Sequence, residues 1–200
     1  MKNQIQNQRP TSTQLKDELR RMDRQSQYMM TLKSTVCTLM TLAAIFMLVA
    51  TLWLPVLQVY GNSMAPTLTS GDVLLCVKTR ELRHGDIAAF YHNNKILVKR
   101  VIGCGGDQME LDPQGNVSRN GVLLSEDYID MPSLGNLDIP LPCQVPNGSF
   151  FMMGDHRSTS LDSRSSTLGF IPEERILGKV LFRIWPLNRF GRVSPKGGSE

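Results

Sequence analysis

Three short segments carry side chains with chemistry to offer. The first is Tyr60-Gly61-Asn62-Ser63-Met64-Ala65-Pro66-Thr67-Leu68, which sets a serine hydroxyl in a turn. The second is Ile96-Leu97-Val98-Lys99-Arg100-Val101-Ile102, where a period of two puts Leu97, Lys99 and Val101 on one face of a strand. Desolvation among apolar neighbours disfavours a charged amine and lowers its pKa, which makes a lysine a usable base near neutrality. Such an amine can take the proton of a serine hydroxyl, a Ser-Lys dyad in place of Ser-His-Asp. Arg100 cannot serve, because guanidinium stays protonated. The third segment, Gly154-Asp155-His156-Arg157-Ser158-Thr159-Ser160-Leu161-Asp162-Ser163-Arg164, is a polar loop directly after the apolar run Phe150-Phe151-Met152-Met153. Each has a blander reading: a turn serine, a lysine that snorkels to solvent, and a solvated loop with an Asp162/Arg164 ion pair. The G-x-S-x-G elbow of α/β-hydrolases is a poor alternative for Ser63, since Pro66 follows where a helix should begin.

These segments need a scaffold, and from Val59 onward the chain alternates short apolar runs with turn residues, the pattern of a β-rich domain. Strands are expected over 72–77, 87–91, 96–102, 149–153 and 179–184. Arg119-Asn120-Gly121-Val122 suits a type I′ hairpin, which requires positive φ at both central residues. Residues 131–148, with four prolines, read as a long surface loop. No internal repeat or further long helix stands out.

The formal charge of +4 lies entirely in the first 33 residues, which hold seven basic and three acidic side chains; the remainder is neutral. Nucleic-acid binding is therefore not indicated. No charged residue occurs between Lys33 and Asp72, and the apolar stretch from about Val36 to Leu57 is long enough to span a bilayer. A core helix would show a polar face, and a cleaved secretory signal would be shorter, with a small-x-small site just beyond it. The expected organisation is a basic cytoplasmic tail (1–33, helical between about Thr13 and Tyr28), a transmembrane helix (34–57), an extracytoplasmic β-rich domain (58–192) and a flexible end (193–200). Cys76, Cys104 and Cys143 beyond the span allow one disulfide at most, and neither they nor His84, His92 and His156 have metal-ligand spacing, so no metal is expected.

In this order after an N-terminal span, the three segments resemble the bacterial type I signal peptidases. Ser63-Met64-x-Pro66-Thr67-Leu68-x-x-Gly71-Asp72 is similar to the serine box of that family. Lys99-Arg100-Val101-Ile102-Gly103-x-x-Gly106-Asp107 is similar to its lysine box, and Gly154-Asp155-x-Arg157-x-x-Ser160-x-Asp162-Ser163-Arg164 to its third box. The resemblance runs from about Gln58 to Phe190. It implies a coiled antiparallel β-sheet domain, no cofactor or metal, and signal-peptide cleavage regions of exported preproteins as substrates, reached in the plane of the lipid. It implies that Ser63 attacks the scissile carbonyl, Lys99 shuttles the proton, Ser160 orients the amine, Asp162 and Arg164 pair to shape their loop, and the Ser63 N–H serves the oxyanion. Two departures stand out. Gly61 occupies the position where some members carry a second, hydroxyl oxyanion donor, and His156 replaces a common Asn, which tempts toward a histidine base. Alternatives are a peptidase dedicated to surface-fibre or pilin-like clients, a catalytically idle relative, and a self-cleaving regulator, which the span and the lack of a helix-turn-helix disfavour.

Overall fold

The structure, a computed structural model, describes residues 12–193. It has two compact units, one ending at Thr51 and the other beginning at Leu52. The described part of the first belongs to a single helix, α1 (Ser12–Trp53), 42 residues long, whose last two residues fall in the second unit. Charged tail and apolar stretch thus form one continuous element, where the sequence suggests two; the part of the tail before Ser12 lies outside the described residues. At about 1.5 Å per residue α1 reaches roughly 63 Å, about twice a bilayer's hydrocarbon thickness. Its threonines are not polar gaps: the hydroxyls of Thr31, Thr35, Thr38 and Thr41 each donate to the carbonyl four residues back, at 2.5–2.9 Å. Leu39, Ile45, Phe46, Leu48 and Trp53 stand exposed, as a helix surface made for lipid would.

The helix stops at Trp53, four residues before the expected end of the span. Pro55 has no N–H to continue it. The chain turns instead into β1 (Val56–Gln58), which pairs antiparallel with β2 (Val73–Val77). There follow β3 (Ile87–His92), β4 (Lys95–Cys104), β5 (Gln108–Leu111), β6 (Val117–Arg119) and β7 (Val122–Leu123). After a long loop come β8 (Cys143–Gln144), β9 (Ser149–Met153), β10 (Ile171–Pro172), β11 (Ile176–Trp185) and β12 (Gly191–Arg192). The main sheet runs β1-β2-β11-β3-β4-β9-β10, with β12 on β11; β7-β6-β5-β8 form a smaller sheet. Every registered pair is antiparallel.

All five expected strands are present, β4 and β11 longer at both ends than anticipated. The hairpin forms with φ of 53° at Asn120 and 77° at Gly121, as a type I′ turn demands. One apolar cluster gathers Ala88, Phe90, Val101, Met152 and Ile171; a second gathers Met64, Leu68, Leu74, Ile87 and Val180 around the turn that holds Ser63. A third, with Met109, Tyr128 and Phe151, joins the small sheet to β9. The cysteines are free among the described residues, and burial pushes the Cys76 thiol up to about 12.

Candidate active site

Ser63 sits in the turn between β1 and β2. Ala65 N–H donates to Asn62 O at 3.0 Å and Leu68 N–H to Met64 O at 2.8 Å, while the buried Met64 and Leu68 anchor the turn in the core. The hydroxyl therefore points from a fixed backbone. Lys99 reaches it from the middle of β4: the Nζ lies 2.6 Å from Ser63 Oγ. Lys99 is only 3% exposed. Burial drives its pKa down from 10.5 to about 8; Asp162 and Asp155 pull it back up, and Arg164 opposes them. Burial wins because both carboxylates are already matched. Asp162 takes a two-pronged bond from Arg164, each prong 2.8 Å, and Asp155 takes one from Arg100 at 2.8 and 2.6 Å. A serine hydroxyl within hydrogen-bond reach of a buried amine whose pKa is lowered to about 8 is what proton abstraction from serine near neutrality requires.

The polar loop after β9 closes the site from a third side. His156 N–H donates to the Ser63 carbonyl at 3.1 Å, and Gly154 lies so close that a Cβ there would collide with that carbonyl and with Ser160 Oγ. The Asp162/Arg164 pair is fully buried, unlike the exposed pair of the bland reading. Asp162 Oδ2 also accepts from Gly154 N–H at 3.1 Å, and Arg164 Nη1 and Nη2 donate to the carbonyls of Ser133 and Arg157, both at 2.7 Å. Burial alone would raise the Asp162 carboxyl, but Arg164 holds it below the ordinary range. Ser160 departs from expectation: its buried Oγ has no hydrogen-bond partner, Lys99 included. The His156 ring bonds Thr159, not Ser63. Among the described residues the Ser63 N–H donates to no protein acceptor, so it is free for an oxyanion.

Sequence reasoning missed the charge lattice behind the dyad. Arg100 donates to Asp155, to Gly85 O at 3.0 Å and to Thr67 Oγ1 at 3.3 Å, and its guanidinium lies 3.9 Å over the Tyr128 ring. Thr67 Oγ1 in turn donates to Asp155 at 2.5 Å. The signal was available, since an arginine inside an apolar run needs a buried carboxylate. The Arg157–Glu126 pair had no such signal. His92 and His156 stay apart from one another's chemistry, but folding brings His84 to Cys104 and Asp107, which their spacing did not suggest.

Ser63 and Lys99 open into a cleft of about 660 Å³, walled by Val56–Tyr60 and Met64 on one side and Asn94–Lys99 on the other. β4 pairs with β3 from Lys95 onward but with β9 only from Arg100, so its cleft-side edge over Lys95–Lys99 has no strand partner. The outer edge of β1 is likewise unpaired.

Residues 32–185 match the family described as signal peptidase, peptidase S26. Among curated proteins the chain is 37% identical over 147 residues to a probable signal peptidase I-1 of Synechocystis, covering 66% of this chain and 72% of that one. It is 34% identical over 151 residues to signal peptidase IB of Staphylococcus aureus, with 65% and 77% covered. A crystal structure of a signal peptidase I from Enterococcus faecalis aligns with a TM-score of 0.41 at 30% identity, over 50% of this chain and 96% of that one. With more than half its length matched, the chain belongs to the type I signal peptidase family of serine endopeptidases.

Proposed function

We propose that this protein is a membrane-anchored endopeptidase that removes signal peptides from exported preproteins, with Ser63 as nucleophile and Lys99 as general base. The observation that carries the assignment is the 2.6 Å approach of a buried amine, its pKa lowered to about 8, to a serine hydroxyl at the end of an apolar cleft. Lys99 Nζ takes the Ser63 proton as Oγ attacks the scissile carbonyl, and the oxyanion meets the free Ser63 N–H, a donor of a kind typically worth about 3–4 kcal/mol. The ammonium then protonates the leaving amine, and the regenerated amine activates water to release the acyl group. Ser160, its hydroxyl otherwise unpartnered beside Gly154, is the group left to orient the amine; Asp162 and Arg164 hold the loop that presents it.

The two unpaired edges flanking the cleft suit an extended peptide, which can hydrogen-bond to β1 on one side and β4 on the other. α1 supplies the anchor. Its apolar part follows seven basic residues, which favours a cytoplasmic N-terminus and an external peptidase domain. Substrates tethered in the same bilayer by their own apolar segments would meet the cleft at raised effective concentration. The chemistry uses no metal, and chelation should leave cleavage intact.

The test is cleavage of a preprotein with an Ala-x-Ala site by detergent-solubilised wild type, Ser63→Ala and Lys99→Ala. Both variants should lose at least about a thousandfold, as members of one catalytic unit do. A variant that keeps its rate removes that residue from the mechanism. A wild type inert toward several preproteins would point to a narrow client set.

A further inference from the structure

We propose that His84, Cys104 and Asp107 form a divalent-cation site, separate from the dyad, whose chemistry suits Zn²⁺. His84 belongs to the turn before β3, and Cys104 and Asp107 bracket the turn after β4. Their donor atoms all lie within 4.8 Å of one another. Zinc bonds of about 2.0–2.3 Å in tetrahedral geometry set ligand atoms about 3.3–3.8 Å apart, so the cluster needs only small side-chain adjustment. One imidazole, one thiol and one carboxylate is a mixed N, S, O set, which favours zinc over magnesium or calcium.

The site is also built. Two turns are fixed to the same strand: Gly85 N–H donates to Val101 O at 2.8 Å, and Val101 N–H to Asp86 O at 2.8 Å. Asp107 is aimed by its neighbours, with Cys104 N–H donating to Oδ2 at 2.8 Å and Asn120 Nδ2 to Oδ1 at 2.8 Å. Outer partners of that kind are what orient metal ligands. His84 Nε2 and Asp107 Oδ2 share a hydrogen bond at 2.7 Å, which a cation bound between them would replace. His84 is 37% exposed and Asp107 15%, which leaves a path for an ion and room for water as fourth ligand. On binding, the thiol proton leaves to solvent, and the proton between His84 Nε2 and Asp107 moves to Nδ1 or to solvent, so that Nε2, the thiolate and the carboxylate can all ligate. The ion would clip the start of β3 to the end of β4. Five residues separate Cys104 from Lys99, about 16 Å along the strand, so it takes no part in peptide cleavage.

The probe is Co²⁺, followed by Zn²⁺, added to the full chain in detergent after stripping with a chelator. One Co²⁺ per chain is expected, with tetrahedral visible bands and a thiolate-to-cobalt charge-transfer band that Zn²⁺ bleaches. Cys104→Ser should abolish the charge-transfer band, His84→Ala should weaken binding at least tenfold, and Cys143→Ser should change neither. Zn²⁺ should raise the unfolding midpoint of wild type and of Cys143→Ser, but not of Cys104→Ser or His84→Ala. No charge-transfer band, or one that survives Cys104→Ser, overturns the site; so does a zinc-induced rise in midpoint that His84→Ala leaves intact.

Discussion

Lys99 and Arg100 are neighbours on β4, both basic, both buried, and aimed at opposite faces because strand side chains alternate. On one face Arg100 finds a carboxylate, a carbonyl, a hydroxyl and an aromatic ring. On the other Lys99 finds a serine hydroxyl. Equal burial thus has opposite consequences. Where partners satisfy the charge, burial locks it in and makes a strut; where they do not, burial lowers the pKa, as a base acting near neutrality would need. Arginine suits the first role because its fork matches a carboxylate and it does not deprotonate; lysine suits the second because it can.

The sharpest way to break this contrast is to take the partner from Arg100. Asp155→Ala leaves a buried guanidinium uncompensated and should cost about 3–5 kcal/mol in urea unfolding. A loss under about 1 kcal/mol would mean the strut is not one. The reverse change on the other face should stabilise: at pH 7 Lys99→Met relieves a buried ammonium, by about 3 kcal/mol at about 1.4 kcal/mol per unit of lowered pKa, while ending cleavage. The sign follows from linkage. Between about 8 and 10.5 the unfolded chain holds a proton on Lys99 that the folded one has lost, so wild-type stability climbs with pH across that window and the advantage of Lys99→Met shrinks. Wild-type kcat/KM should rise about tenfold per pH unit below about 8 and level off above it. A flat profile would detach the amine from the rate. The smallest effect belongs to Ser160→Ala. It removes an unpartnered hydroxyl, so stability should move by less than about 1 kcal/mol, while kcat falls about tenfold if that hydroxyl orients the amine.

Much of this was legible in the chain. Period-two patterning around Lys99 and the Asn120-Gly121 dipeptide identified elements that formed as read, because local geometry decides them. Ser63, Lys99 and the polar loop were found from residue types and from their resemblance to a family. What stayed hidden depends on distance in sequence. Arg100 and Asp155 are 55 residues apart, and Arg157 and Glu126 are 31. Nothing local to either partner says which acid will meet which base. The end of α1 was misjudged for a different reason: Val56 and Leu57 are as apolar as the helix before them, but Pro55 and the open edge of β2 claim them for the sheet. Ser160 illustrates a third limit, since a motif names a residue without settling which way its hydroxyl turns.

The unpaired edges of β1 and β4 have one more consequence. They offer bonds to main chain, which all polypeptides share, and so they do not discriminate among most side chains. Under the proposed function, a peptide held that way is gripped by its backbone, and choice among clients would rest on the side chains next to the cut. The same indifference is a hazard, because an open edge will pair with any loose strand, including one from a second copy. Lys95 and the Asn93-Asn94 turn, with φ of 43° and 63°, end the β4 edge in a charge and a sharp bend, which discourages a long strand from settling there. The geometry favours a visitor of a few residues over a permanent neighbour.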